Sequence, residues 1–249
     1  MIAVLPGAVL VAQLSAGAIV ARAKNEDMRI RDLEANAQLE ILSGGERKTR
    51  RMRLSLKRDG VNYRALFEIL EPRAMTGTKF LVQAERGKRN REWAYFPDLD
   101  LVRSIPGKSQ DDAFLGSEIT YADLAGGAHL DDLLHRLVGE VTVDGEECYL
   151  LEGTPRHEIV YGKLRGYVRK TDFVTVKAEF FDSGGRLVKQ AHLTDVRDLG
   201  GGIELAYRIE MRNVVTHSVS VLTLSDVRVN QDLSLDDFTA DALPGRSSP

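Results

Sequence analysis

Residues 33–41, LEANAQLEI, decide the fold class of this chain. Every second residue is apolar, and each residue between them is polar. A period of two is typical of a β-strand that buries one face and leaves the other in water. The face expected to be buried consists of Leu33, Ala35, Ala37, Leu39 and Ile41.

The same alternation continues on the C-terminal side of this stretch. Met52, Leu54 and Leu56 alternate with basic residues. A third alternating run carries Tyr63, Ala65, Phe67 and Ile69. Asp-Gly pairs at 59–60 and 144–145 and glycine-rich turns at 183–185 and 200–202 join further strand-like runs, as in a meander, a sandwich or a barrel. We therefore predict a mostly antiparallel β (α+β) fold with roughly ten strands and a few helices.

A large sheet with one wet face must cover its other face, and few helices are available to do so. A twisted sheet with little cover tends to curl toward a barrel, and barrels of this size can enclose a ligand. The strand pattern by itself therefore favours a protein that carries a ligand.

The N-terminal 20 residues contain no charge, and the first charged residue is Arg22. Residues 1–13 are interpreted as the remnant of a truncated signal peptide, which leads into a helix that begins after the N-cap Ser15. The alternative is a helix inside the folded domain, because the positively charged start of a signal peptide is missing. Residues 14–249 are expected to form one domain.

Composition excludes several classes of function. The formal net charge is −3, from 34 Lys and Arg against 37 Asp and Glu, which gives no overall argument for nucleic acid. The lone cysteine, Cys148, cannot form an internal disulfide and rules out cysteine-rich metal sites. Ser117 lacks the Gly-x-Ser-x-Gly frame of a nucleophile, and no phosphate-binding loop is present. We expect no catalytic residues and no cofactor, and therefore no enzyme.

Residues 122–137 are predicted to form helical turns. The leucines of this segment fall at i, i+3, i+4 and i+7, which indicates one apolar helix face: Leu130, Leu133, Leu134 and Leu137. Asp131 and His135 are four residues apart and could face one metal ion, but a third ligand is missing. We therefore expect the wet face of a helix that closes the apolar interior, and no metal.

Basic residues cluster in two places. One cluster follows the second strand and the other fills a loop before Trp93; the residues expected to form a docking patch are Arg51, Arg53, Lys57, Arg86, Lys88 and Arg89. A solvated strand face and a hairpin tip explain them without function. The functional alternative is docking onto anionic lipid headgroups or an acidic partner.

Several stretches resemble the LolA-like family of outer-membrane lipoprotein-sorting proteins. They are residues 71–81 (EPRAMTGTKFL), 92–97 (EWAYFP), 102–105 (VRSI), 114–124 (FLGSEITYADL) and 177–189 (KAEFFDSGGRLVK), with shorter matches around 161–168 and 211–213 and at Asn230 and Phe238. Their order and spacing cover the chain from about residue 14. Glu118 departs from the pattern, in which Asp is expected.

The resemblance implies a half-open, strongly curved β-barrel with helices as a lid over an apolar cavity, located in the periplasm. It also implies a lipid or acylated protein as ligand and an inner-membrane transporter as partner. The basic clusters add an anionic membrane surface as an expected partner, and the charge balance leads us to expect no nucleic acid. The residues expected to line the cavity are Leu39, Ile41, Leu54, Leu56, Phe67, Ile69, Phe80, Trp93, Tyr95, Leu130, Leu133 and Leu134. Two alternatives stay open: a periplasmic sensor or accessory module that binds a protein, and a hydrolase of lipid or glycan.

Overall fold

The computed structural model describes residues 14–86, 88, 90–106, 113–120, 123, 133–156 and 161–245. Its core is one curved, open, antiparallel sheet with the strand order β6-β5-β4-β3-β2-β1-β13-β12-β11-β10-β9-β8-β7. The strands are β1 (Asp32–Ser43), β2 (Glu46–Asp59), β3 (Asn62–Glu71), β4 (Lys79–Ala84), β5 (Arg91–Phe96), β6 (Leu101–Ser104), β7 (Leu133–Val143), β8 (Glu146–Pro155), β9 (Lys163–Arg169), β10 (Thr175–Phe181), β11 (Leu187–Asp198), β12 (Glu204–Asn213) and β13 (Val219–Val229).

The predicted turns join neighbouring strands. At the hairpin between β7 and β8, Asp144 and Gly145 both have positive φ, at 50° and 86°. Two central residues with positive φ form the type I′ turn, whose twist matches that of the strands it joins. The predicted antiparallel β class is therefore confirmed, with thirteen strands where about ten were expected.

The period-two alternation sets the two faces of the sheet. Ala37 lies opposite Met52, and Met52 lies opposite Ile69. These residues and Leu39 belong to one buried apolar cluster, on the side that we call the inner face. One cross-strand row of this face runs through Leu137, Leu151, Gly166, Ala178, Ala191, Met211, Ser220 and Ile41.

The one α-helix of the described residues, α1 (Ala16–Met28), covers the inner face over β7, β8 and β9. Ser15 caps it as expected, because its side chain accepts a hydrogen bond from the backbone N–H of Ala18 at 3.2 Å. Ile19 has no exposed surface and packs with Leu151 and Val168. The far end of the helix is tied to β2 by the Asp27–Arg58 ion pair at 2.5 Å.

The outer face is covered over β3, β4 and β5 by the C-terminal segment, residues 230–245. Phe238 and Leu243 are each 1% exposed and pack against Leu81. Gln83 Nε2 donates to the carbonyl of Phe238 at 2.8 Å, and Lys79 Nζ donates to that of Leu243 at 2.9 Å. All six residues of β4 are consequently buried, whichever face they point to.

The predicted lid helix is wrong in its described part. Residues 133–137 begin the edge strand β7. Leu133 and Leu137 point inward, whereas Leu134 points outward and is 52% exposed. Spacings of four residues place two side chains on the same side of a helix and also of a strand, so they did not distinguish the two. Leu130 lies outside the described residues.

Candidate functional site

The inner face of β1 to β4 brings together most of the residues predicted to line a cavity. Leu39, Ile41, Phe67, Ile69 and Phe80 are at most 6% exposed and belong to one cluster. Leu54 and Leu56 are partly buried against the same cluster. The sequence therefore predicted correctly that these seven residues share one face, whereas their role in binding stays a prediction.

Trp93 and Tyr95 do not share this face. Trp93 lies opposite Leu81, and both aromatic residues pack in the outer cluster under the C-terminal segment. Their predicted placement on the inner face was wrong. Both faces of β5 are buried, so the apolar character of Trp93 and Tyr95 did not reveal which face of the sheet they occupy. The inner side of β5 carries Glu92 and Ala94 instead, opposite Val82 and Phe80.

A short loop, residues 113–120, lies on the inner face and is called the inner loop here. The Phe114 N–H donates to the carbonyl of Ile119 at 2.7 Å, which closes the loop on itself. The Phe114 ring is 2% exposed and its centroid is 5.3 Å from the ring centroids of both Phe67 and Phe80. The inner loop thus fills part of the volume that the sequence assigned to a ligand.

Glu118 connects the inner loop to residues on or next to β11, β12 and β13, in the half of the sheet away from Phe67 and Phe80. Its carboxylate accepts hydrogen bonds from Asn213 Nδ2, at 3.0 Å, and from the Ser218 hydroxyl. Its backbone N–H donates to Ser220 Oγ at 2.8 Å, and its carbonyl accepts from Lys189 Nζ at 2.7 Å. The residue that departs from the family pattern is therefore a well-partnered anchor.

Glu92 is a buried carboxylate of the inner face, whereas Glu118 is only partly buried, and the two differ in their hydrogen-bond partners. The Glu92 side chain is 1% exposed, and among the described residues neither carboxylate oxygen has a hydrogen-bond partner. Burial alone raises the pKa of Glu92 to about 7. The sequence analysis missed this residue because a glutamate beside a tryptophan reads as the wet side of a strand.

Two clefts of about 520 Å³ each open on the outer face rather than the inner one. The lining of the first includes Tyr167, Lys177 and His192, and His192 Nε2 lies 2.5 Å from Asp144 Oδ2. The second lies along β1 beside Arg51. Charged and polar side chains dominate the lining of the first cleft, so it does not offer the apolar volume that a lipid chain needs. The second cleft is lined by polar side chains together with the apolar Met52, Leu70 and Leu224.

The residues of the predicted docking patch lie in two places, on the outer face of β2 and in the loop between β4 and β5. Arg51, Arg53 and Lys57 share the outer face of β2, as expected from the inward positions of Met52, Leu54 and Leu56. Each of the three is paired with an acid: with Glu71 at 3.3 Å, Glu68 at 3.4 Å and Asp32 at 3.1 Å, respectively.

Lys88 is also paired, with Glu85 at 2.6 Å. Arg86 is exposed beside it, and Arg89 lies outside the described residues. Neutralised charges attract a distant anionic surface weakly, so docking through this patch stays a prediction.

The pair of Asp131 and His135, for which no metal was expected, lies partly outside the described residues. His135 lies on β7, and Asp131 is outside the described residues. Among the residues that the structure describes, no group of three His, Cys, Asp or Glu side chains could hold a metal ion. Within those same limits, no helix is long and apolar enough to cross a membrane.

Solved structures share this fold over almost the whole chain. A DUF1329 family protein from Desulfovibrio piger is 28% identical, with a TM-score of 0.85 over 93% of this chain and 100% of that one. A putative outer membrane lipoprotein-sorting protein domain from Vibrio parahaemolyticus is 25% identical, with a TM-score of 0.85 over 90% and 97%. A LolA superfamily protein from Nitrosomonas europaea is 23% identical, with a TM-score of 0.72 over 92% and 99%.

A search of curated proteins finds no match. A family model with the description "Uncharacterized protein" matches residues 62–244, which is most of the chain. The resemblance to LolA-like proteins is confirmed by the structural neighbours. The protein therefore belongs to the family of this model, and it has the fold of the LolA superfamily.

Proposed function

We propose that this protein is an exported, periplasmic carrier that binds an acyl chain of a lipid or lipoprotein against the inner face of its sheet. In this role it takes its cargo from machinery at the inner membrane and releases it toward the outer membrane. The similarity to the outer membrane lipoprotein-sorting protein domain from Vibrio parahaemolyticus supports this class of cargo. The proposal assigns no chemical step to any residue.

The observation that carries the proposal is the way in which the inner face is covered. Its apolar side chains extend from β5 across β1 to β10, and several of them, among them Leu54, Ala178 and Leu193, are only partly buried although α1 and the inner loop lie on this face. Apolar surface of this extent is usually covered by a second layer of secondary structure. A ligand chain can take the place of that layer, and each buried methylene contributes roughly 0.8 kcal/mol.

The inner face also has free space in one row. A Cβ atom added to Gly166 would meet no atom within 4 Å. Its cross-strand neighbours are Leu151 on β8 and Ala178 on β10, and Ala191 follows on β11. Small side chains therefore leave room above the sheet beside α1, where an alkyl chain could lie.

Replacing the Phe114 ring tests the proposal directly. Phe114→Ala removes the side chain of the inner loop that packs on Phe67 and Phe80. If the ring occupies ligand space, the variant should bind an apolar fluorescent probe more tightly than the wild type. Native mass spectrometry of protein purified from its host should show a bound lipid in both.

Phe238→Ala is the matched control, because Phe238 is equally buried but lies on the outer face. It should destabilise the fold without raising the affinity for the probe. Absence of bound lipid, together with a wild type and a Phe114→Ala variant that bind no apolar probe, would contradict the carrier function.

A second candidate, a module that binds a protein partner, is favoured by the edge strand β7. This strand is last in the sheet order, and its side chains Leu134 and Val138 are 52% and 40% exposed. An edge strand with exposed apolar residues can pair with a strand of another chain. Purification without lipid but with a co-purifying protein, lost on changing Val138 to Pro, would favour this function.

A further inference from the structure

Glu92 lies within the apolar wall of the inner face. On β5 it is opposite Val82, and its carbonyl accepts a hydrogen bond from the N–H of Ile105 at 2.8 Å. In the same cross-strand row, Val82 is opposite Ala65. Its carboxylate therefore lies among apolar side chains, and within the part of the chain that the structure describes both oxygens lack a hydrogen-bond partner.

Arg58 and Glu92 both act on the buried Tyr63, and the Arg58 guanidinium is engaged by other groups. Arg58 stacks over the Tyr63 ring, 5.9 Å from its centroid, and donates to Asp27 and to the carbonyl of Ile30. Glu92 and Asp27 both raise the pKa of Tyr63, which burial raises first. The described chain thus supplies Glu92 with no cation of its own.

A buried carboxylate without a partner is expensive, because it has lost its hydration and gained nothing in return. Such groups are rare in folded proteins, and they concentrate where a ligand or a reaction uses them. An ionised carboxylate only accepts hydrogen bonds, so that its best partner is a group that donates them and carries a positive charge. A primary amine meets both requirements.

We propose that Glu92 is the polar anchor of the inner-face ligand site, and that it binds the amine of an amphiphile whose alkyl chain lies along Phe67 and Phe80. This proposal rests on the carrier function and adds the class of headgroup. The row of Phe67, Phe80 and Ala94 is adjacent to the row of Glu92, about 7 Å away along the strands. Movement of the Phe114 ring would open this row.

Three probes that share one alkyl chain but differ in headgroup separate the contribution of the headgroup to binding from that of the chain. Dodecylamine, dodecanol and dodecanoate are titrated at neutral pH, each displacing a bound apolar fluorophore from the full chain. The wild type should prefer dodecylamine over dodecanol by about tenfold, because a charge-assisted hydrogen bond is stronger than a neutral one. Dodecanoate should bind most weakly, because its charge has the same sign as that of Glu92.

Glu92→Gln and Glu92→Leu should abolish the preference for the amine and leave the affinity for dodecanol within about twofold, since the chain contacts remain. Glu68→Gln is the control, because Glu68 lies on the outer face and pairs with Arg53. In the wild type, dodecylamine should also lower the pKa of Glu92, measured by carbon-13 NMR of its carboxyl group.

The outcomes separate the two proposals. If both Glu92 variants still prefer the amine, Glu92 is not the polar anchor. Equal binding of all three probes by the wild type would also overturn this role of Glu92. In both cases the carrier function stands. If the wild type binds none of the three probes, both the carrier function and the anchor fail.

Discussion

Lys57 Nζ lies 3.1 Å from Oδ2 of Asp32, and the Asp32 side chain has no exposed surface. The same carboxylate accepts hydrogen bonds from the backbone N–H groups of Gln231, at 2.6 Å, and Asp232, at 3.1 Å. Burial by itself raises the pKa of Asp32, but the hydrogen bonds from Gln231 and Lys57 outweigh it and hold that pKa below its usual value. Lys57 therefore joins β1, β2 and the C-terminal segment, and its ammonium group is not available for docking.

Replacing Lys57 by Met should destabilise the protein by about 3–5 kcal/mol, because it leaves the buried Asp32 carboxylate without its counter-charge. Arg51→Met is the control, since both Arg51 and its partner Glu71 are more than half exposed. The control should cost less than about 1 kcal/mol. Urea denaturation of the two variants measures both values, and equal losses would show that the Asp32 pair acts as an ordinary surface pair.

The stability of the protein should fall as the pH rises through the range set by Glu92. Burial raises the pKa of Glu92 to about 7 in the folded state, against 4.5 for an ordinary glutamate. Below pH 4.5 the group is protonated in both states and costs nothing. As the pH rises to about 7, the unfolded chain ionises first, so that folding loses ~3 kcal/mol in total.

Glu92→Gln removes this loss, so the variant should be more stable than the wild type at pH 8 and close to it at pH 4. The unfolding free energy of both proteins, measured in urea at these two pH values, tests this. A difference between variant and wild type that is the same at pH 4 and pH 8 would mean that Glu92 titrates normally in the folded protein.

Filling the free space above Gly166 should block the ligand without harming the fold. Gly166→Leu places a side chain where a Cβ meets no atom within 4 Å, and leucine suits a strand better than glycine. Stability should stay within about 1 kcal/mol of the wild type, whereas an enlarged residue in a packed core costs roughly 1–3 kcal/mol. Binding of the apolar probe should weaken severalfold.

Gly139→Leu is the matched control, because Gly139 also has open space around it but lies opposite Leu150 on the outer side of β8. It should leave probe binding unchanged. If Gly166→Leu binds the probe as well as the wild type does, the alkyl chain does not run beside α1.

The sequence predicted the sheet better than it predicted the cover of the sheet. In β1, one face is wet, so alternation identified Leu39 and Ile41 correctly as inward. In β4 and β5, the C-terminal segment buries the other face as well, and alternation no longer reports which side is inner. This is why Trp93 was assigned to the inner face and Glu92 was overlooked.

The inner loop could not be predicted from local pattern, because its place is fixed by contacts distant in sequence. Glu118 meets Asn213 and Ser218, about one hundred residues later in the chain. Phe114 contacts Phe67 on β3 and Phe80 on β4, which belong to the other half of the sheet but to the same inner face. The stretch around Phe114 was quoted only as a family resemblance, and neither its position on the inner face nor its anchor has a periodic signature.

Weakening the Glu118 anchor should make the inner face more accessible. Glu118→Ala removes the acceptor of Asn213 Nδ2 and Ser218 Oγ, but keeps the backbone bonds to Ser220 and Lys189. The inner loop should then leave the sheet more often, and an apolar probe should bind faster and severalfold more tightly, because less free energy is needed to displace Phe114. Loss of two side-chain hydrogen bonds should lower stability by about 1–3 kcal/mol.

Glu152→Ala provides the comparison, because Glu152 also holds several partners, Arg136, Lys163 and Arg165, but on the outer face. It should lower stability without changing the association rate of the probe, which stopped-flow fluorescence measures for both variants. Glu118→Asp shortens the side chain by one methylene and supplies the residue that the family pattern leads us to expect. It should lie between the wild type and Glu118→Ala in both rate and affinity. If Glu118→Ala and Glu152→Ala accelerate probe binding equally, general loosening of the fold accounts for the effect, and the inner loop does not control access to the inner face.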